Sequence, residues 1–183
     1  MPILNPGGIF VTRQFVKVVI VMCVFVVTSF AQQPASPPAS AQCKFADGKT
    51  IKVDYSSPRM RGRKIYGGLV PSGEVWRTGA NAATTFVPNT DVNVGGTNVP
   101  AGSYTIFTIP NTDKWVLIIN KKTGEWGIPY KYESDELARV DMKVSRIPAP
   151  VENFTIAFEE KGSSCTMNLD WENTRASIDI TRK

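Results

Sequence analysis

Apolar and polar residues alternate at every second position through much of the chain after residue 50. Ile51, Val53 and Tyr55 stand between Lys52 and Asp54, the period of a half-buried strand. Short extended pieces are expected around Val75–Arg77 and over Ala83–Val87. Val92 and Val94 face Val99 across Gly95-Gly96, a two-residue hairpin signal. The strongest pair is SYTIFTI (103–109) and KWVLIIN (114–120), joined by Asn111-Thr112-Asp113. Both runs are rich in β-branched and aromatic residues and apolar on both faces in places, which fits central strands. Alternation returns over Val140–Val144, stops at Pro148 and Pro150, and resumes at Phe154–Phe158, Cys165–Trp171 and Ala176–Ile180.

No segment keeps a helical period. Ser134–Ala138 supports at most one short helical turn, with Ser134 as cap and Asp135 and Glu136 at its positive end. About nine short strands without helices predict an all-β fold, an antiparallel β-sandwich or jelly-roll-like barrel. No internal repeat points to a propeller or solenoid.

The first 31 residues change the picture of where this domain resides. Arg13 and Lys17 precede an apolar run from Val18 to Val27, and Ser29-Phe30-Ala31 carries small residues at signal-peptidase positions. Residues 1–31 therefore read as a signal peptide, and the run falls short of the roughly 20 apolar residues a membrane span needs. Residues 32–42, QQPASPPASAQ, read as a disordered Pro/Ala/Ser-rich linker. A single domain is then expected over 43–183, periplasmic or secreted, with no membrane span after cleavage. Export leaves Cys43 and Cys165. In an oxidising compartment an isolated pair is expected to be bridged, contributing about 4 to 5 kcal/mol in the loop-entropy picture.

Charge and composition mainly exclude. The chain of 183 residues carries a net charge of +5, and removal of Arg13 and Lys17 leaves 19 basic against 16 acidic residues. Apart from Arg59, Arg61, Arg63 and Lys64 the cations are dispersed, so nucleic acid is not an expected partner. The sequence has no histidine, which removes a His-based triad, a His-bearing zinc site and an imidazole proton shuttle. No metal or cofactor is expected.

One stretch resists the alternating pattern. Residues 55–86, YSSPRMRGRKIYGGLVPSGEVWRTGANAATTF, combine four arginines with Trp76, two tyrosines and many turn formers. Guanidinium groups beside aromatic rings cost more to order than a connector requires. A second irregular segment, KKTGEWGIPYK (121–131), interleaves aromatic and charged residues. Together they offer a pocket for a small molecule or carbohydrate. Arg77 and Asn81 would bind carboxylate or hydroxyl groups, Trp76, Trp126 and Tyr130 would stack on a flat face, and Arg63 would add charge. The purely structural alternative puts Trp76 and Trp126 in the core, pairs Arg77 with Glu74 or Glu125, and ties Asn81 to loop backbone. A hydrolytic alternative uses Glu74 and Glu125 as the two carboxyl groups of a carbohydrate-cleaving centre.

The segments 55–86, VPAGSYTIFTIP, WVLIINKKTGEWGIPYKY and DWENTRASIDI resemble the bacterial family catalogued as domain of unknown function 2911. The resemblance spans Cys43–Ile180 and implies an exported protein. It implies no reaction and no catalytic residue. The expectation for function is a ligand-binding or structural module, with the carboxylate-dependent hydrolase as alternative.

Overall fold

A computed structural model describes residues 35–183; the expected signal peptide lies outside them. The fold is all-β and antiparallel, with β1 (Pro38–Lys44), β2 (Thr50–Ser56), β3 (Thr84–Pro88), β4 (Val92–Val94), β5 (Thr97–Val99), β6 (Tyr104–Ile109), β7 (Lys114–Asn120), β8 (Glu136–Lys161) and β9 (Ser164–Arg182). They form one sheet in the order β1-β2-β3-β6-β7-β8-β9-β4-β5. A single 3-10 turn, Glu133–Asp135, stands where the helical turn was expected. The turn begins at Glu133 with Tyr132 in the cap position, so Ser134 lies inside it and makes no cap.

Two features differ from the sequence expectation. Pro38–Gln42, expected in the linker, belong to β1 and pair residue for residue with β2 from Pro38↔Ser56 to Lys44↔Thr50. The partner strand defines this element, since its own residues are mostly small and carry no large apolar side chain. The last strands are also long where short ones were expected. β8 runs through Pro148 and Pro150 because its ladder with β9 lapses between Arg146 and Val151 and again between Val151 and Thr155, so the prolines face no missing donor.

That lapse is filled by the arginine-rich stretch. Phe154 N–H donates to the Pro58 carbonyl (2.8 Å) and Met60 N–H to that of Glu152 (2.8 Å). Ser57 Oγ donates to the Phe154 carbonyl at 2.7 Å. The sheet thereby closes on itself, its β2 end stitched to the second half of β8. Ile156 N–H donates to the Tyr55 hydroxyl at 3.0 Å, Lys44 N–H reaches Glu160 Oε1 at 2.7 Å, and a Cys43–Cys165 disulfide ties β1 to β9. Inside lies an aromatic cluster. Trp76 and Trp171 stack at 5.9 Å and 19°, with Phe154 and Trp115 edge-on to Trp76. Trp115 and Trp171 are fully buried.

Candidate functional site

The irregular stretch is neither detached nor extended. Ile65, Val70 and Trp76 anchor it in the core, and Trp76 exchanges both backbone hydrogen bonds with Thr108 of β6, at 2.7 and 2.9 Å. Beyond Trp76 the chain takes a tight course. Thr78 is completely buried with φ 55° and Asn81 has φ 58°, a region costly for L-residues and most so for a β-branched one. The conformation is held by a Thr78 Oγ1 to Thr108 Oγ1 bond (3.1 Å) and by Thr84 Oγ1 donating to the Thr78 carbonyl (2.7 Å). It leaves Arg77 on the far side of the chain from the core.

A cavity of about 710 Å³ opens there, between residues 58–80 and 128–133. Trp76 and Trp171 line it from the core side, while Leu69, Ile128 and Tyr130 supply further apolar wall. Arg63, Glu74, Arg77 and Glu133 add charge. Such a volume falls within the range that encloses drug-sized ligands. The large hydrophobic side chains exposed among the described residues are Leu69 (44%), Trp126 (60%) and Ile128 (43%). Two of these, Leu69 and Ile128, line the cavity; Trp126 is outside the lining and stacks on Arg77, which belongs to it.

Arg77 is the distinctive group. Its guanidinium lies 5.1 Å from the centre of the Trp126 ring, and Nη1 donates to the Trp126 carbonyl at 3.4 Å. None of the ion pairs among the described residues involves it. Burial pushes its pKa below the ordinary value without an anion to offset the cost. The loop that brings Trp126 over it depends on Gly127, whose backbone (φ 90°) packs on Ala83, Phe107 and Arg77.

The other candidates divide. Tyr130 contributes its ring, because its hydroxyl donates to Glu136 Oε1 (2.6 Å) and accepts from Asn120 (3.3 Å). Burial, then the Glu136 carboxylate, pushes its pKa up. Trp76 belongs to the core, its indole N–H bonded to the Gly79 carbonyl at 3.0 Å. Arg63 lines the cavity while its Nε and Nη2 clamp the carbonyls of Met60 and Arg59. Asn81 is used elsewhere, its amide donating to Ser56 Oγ (3.1 Å) and the Ser36 carbonyl (3.3 Å). The two carboxylates of the hydrolytic alternative do not share the cavity: Glu74 lines it, whereas Glu125 lies outside it beside Lys122, at 3.8 Å. Glu133 joins the lining although no sequence pattern marked it. Only its position three residues after Tyr130, in the same loop, offered a hint.

Residues 36–180 match the sequence family described as protein of unknown function (DUF2911). The chain belongs to that family. The match begins two residues before β1 and ends two residues short of the close of β9, so the DUF2911 domain comprises all but the last two residues of the closed sheet together with both loops of the cavity. No curated protein and no solved structure matches the chain significantly.

Proposed function

We propose that this DUF2911 domain is an exported small-molecule-binding module whose cavity receives an apolar ligand bearing a carboxylate, anchored by Arg77. The observation that carries this reading is the unpaired, partly buried guanidinium at an apolar opening. A carboxylate would supply the planar bidentate partner that the protein omits and would reverse the desolvation cost. Trp126 fixes the fork from one face, so the cation is placed before ligand arrives. The apolar walls supplied by Leu69, Trp76 and Ile128 favour an aliphatic or aromatic body beside the carboxylate. Export rests on the N-terminal charge and apolar pattern and agrees with the Cys43–Cys165 bridge.

Thermal-shift and calorimetric titration of the protein with arylalkanoic and aliphatic acids, beside their neutral amides, tests the reading. The acids are expected to bind and the amides to bind at least about tenfold more weakly, a difference of about 1.4 kcal/mol. Arg77→Gln is expected to erase that preference, and Arg77→Lys to restore part of it. Equal binding of acid and amide, or an unaltered preference in Arg77→Gln, would refute it.

A further inference from the structure

The cavity holds charges of both signs that do not satisfy one another. Arg63 and Arg77 line it, as do Glu74 and Glu133, yet none of the four takes part in an ion pair among the described residues. The nearby cations have other direct partners: Arg139 is bound by two hydrogen bonds to Glu136, each at 2.8 Å, and interacts with Glu133 only through space, and Lys122 lies against Glu125 and the Tyr132 ring. Glu74 and Glu133 are exposed and make no side-chain hydrogen bond among the described residues. Glu74 stands two residues before the Trp76–Thr108 pairing and Glu133 in the 3-10 turn, so two separate elements bring acidic groups to the cavity.

Opposed charges that form no ion pair with one another, at the exposed rim of an otherwise apolar cavity, favour a ligand whose own charges are opposed and joined by an apolar body. We infer that the ligand is a zwitterion, a short apolar peptide of two or three residues. Its C-terminal carboxylate meets Arg77 and its ammonium meets Glu74 and Glu133. This rests on the carboxylate-binding reading above and adds the second charge. Three features agree with it. A cavity of about 710 Å³ is roomier than a single amino acid needs. The exposed Leu69 and Ile128 provide apolar contacts for side chains between the two charged ends. A ligand carrying only a carboxylate would leave Glu74 and Glu133 without a partner, so it is expected to bind more weakly than the zwitterion.

Leucyl-phenylalanine, its N-acetyl derivative, its C-terminal amide and the doubly blocked compound separate the possibilities by calorimetric titration. The free dipeptide is expected to bind tightest, with N-acetylation weakening it about tenfold, or about 1.4 kcal/mol. In Glu74→Gln/Glu133→Gln the loss on N-acetylation is expected to disappear while the loss on C-terminal amidation persists. Arg77→Gln is expected to show the reverse. If the N-acetyl compound binds as tightly as the free dipeptide, the zwitterion inference is overturned while the carboxylate reading stands. If the C-terminal amide binds as tightly as the free acid, both fall. If none of the four binds, the peptide assignment is overturned, and the simple carboxylic acids decide the carboxylate reading.

Discussion

Gly127→Ala is expected to destabilise the domain by about 2 to 5 kcal/mol and to disturb the candidate site with it. An added Cβ would stand 2.9 Å from Ala83 Cβ, 3.1 Å from Phe107 Cε1 and 3.2 Å from Arg77 Cβ, on a backbone with φ 90°. The backbone accounts for about 1 to 2 kcal/mol, since an L-residue on the positive-φ side crowds its own carbonyl. Overpacking accounts for about 1 to 3 kcal/mol more, because Ala83 and Phe107 are buried and Phe107 is wedged against Tyr130 at 4.8 Å. Urea unfolding followed by far-ultraviolet circular dichroism and by tryptophan emission measures the sum. A second substitution apportions it. Ala83→Gly in the same chain removes the nearest obstacle, so the double variant should recover about 1 to 2 kcal/mol and keep the backbone cost. A Gly127→Ala protein within about 0.5 kcal/mol of the parent would refute the reasoning. So would a full loss with no coupling to Ala83→Gly.

Three further outcomes follow from other parts of the molecule. The Cys43–Cys165 bridge closes a separation of 122 residues, so its reduction should cost about 5 kcal/mol; unchanged urea midpoints with and without reductant, or two free thiols in the denatured unreduced protein, would contradict the bridge's role. Glu172 sits in β9 at φ 54°, and Glu172→Gly should leave stability unchanged or raise it by up to about 1 kcal/mol, whereas a loss above about 1 kcal/mol would reveal a side-chain contact that outweighs the strain. Glu136 has its pKa held below the usual 4.5, chiefly by Arg139 against burial, with the Tyr130 hydroxyl assisting. A depressed carboxyl contributes stability above its unfolded value and loses it as pH falls through the folded one. The stability gap between parent and Glu136→Gln should therefore be full near neutral pH and shrink below about 4.5; a gap independent of pH would exclude the ionised pair as its source.

What could be read from the chain was whatever depends on a residue's own neighbours. Ile51, Val53 and Tyr55 declare their strand by alternation, and Gly95-Gly96 declares its hairpin because only glycine takes both positive-φ positions at little cost. Elements defined by a distant partner stayed hidden. Pro38–Gln42 alternate only through Ala39 and Ala41, side chains too small to mark a strand, and become one because β2 offers a complete ladder and Cys43 is pinned to Cys165. Pro148 and Pro150 look like a stop, yet Val151–Thr155 continues the strand by taking new partners at Pro58–Met60, about ninety residues earlier. The site was legible in part for the same reason. Two odd loops could be recognised singly, and Arg77, Tyr130, Arg63 and Glu74 do line one cavity. That Asn81 turns away to Ser56 and Ser36, that Trp126 is exposed where Trp76 is core, and that Glu133 enters the lining are settled by packing across the gap between the loops. Gly124 and Gly127 flanking Trp126 were the local trace of its exposure, since glycine on both sides marks a segment shaped by close backbone approach.

Backbone strain also gathers around this cavity. Among the described residues the non-glycine positions at positive φ are Arg61, Thr78, Asn81 and Glu172. Thr78 follows Arg77 directly, Asn81 ends the same turn, and Glu172 follows Trp171 on the core-side wall. Arg61 lies in the loop that crosses β8, its N–H bonded to Glu152 Oε1 at 2.9 Å. Each such residue costs on the order of 1 to 3 kcal/mol unless its surroundings over-determine it, and glycine would relieve the steric part at any of them. A fold that needed only a closed sheet would gain by that relief. Thr78 instead spends its hydroxyl on Thr108 inside the core, locking the turn so that Arg77 has few alternatives to its place against Trp126. Strain at Thr78 and Asn81 thus brackets the turn that presents Arg77 to Trp126, and on the carboxylate-binding reading proposed above the stability given up there would lower the ordering cost of binding.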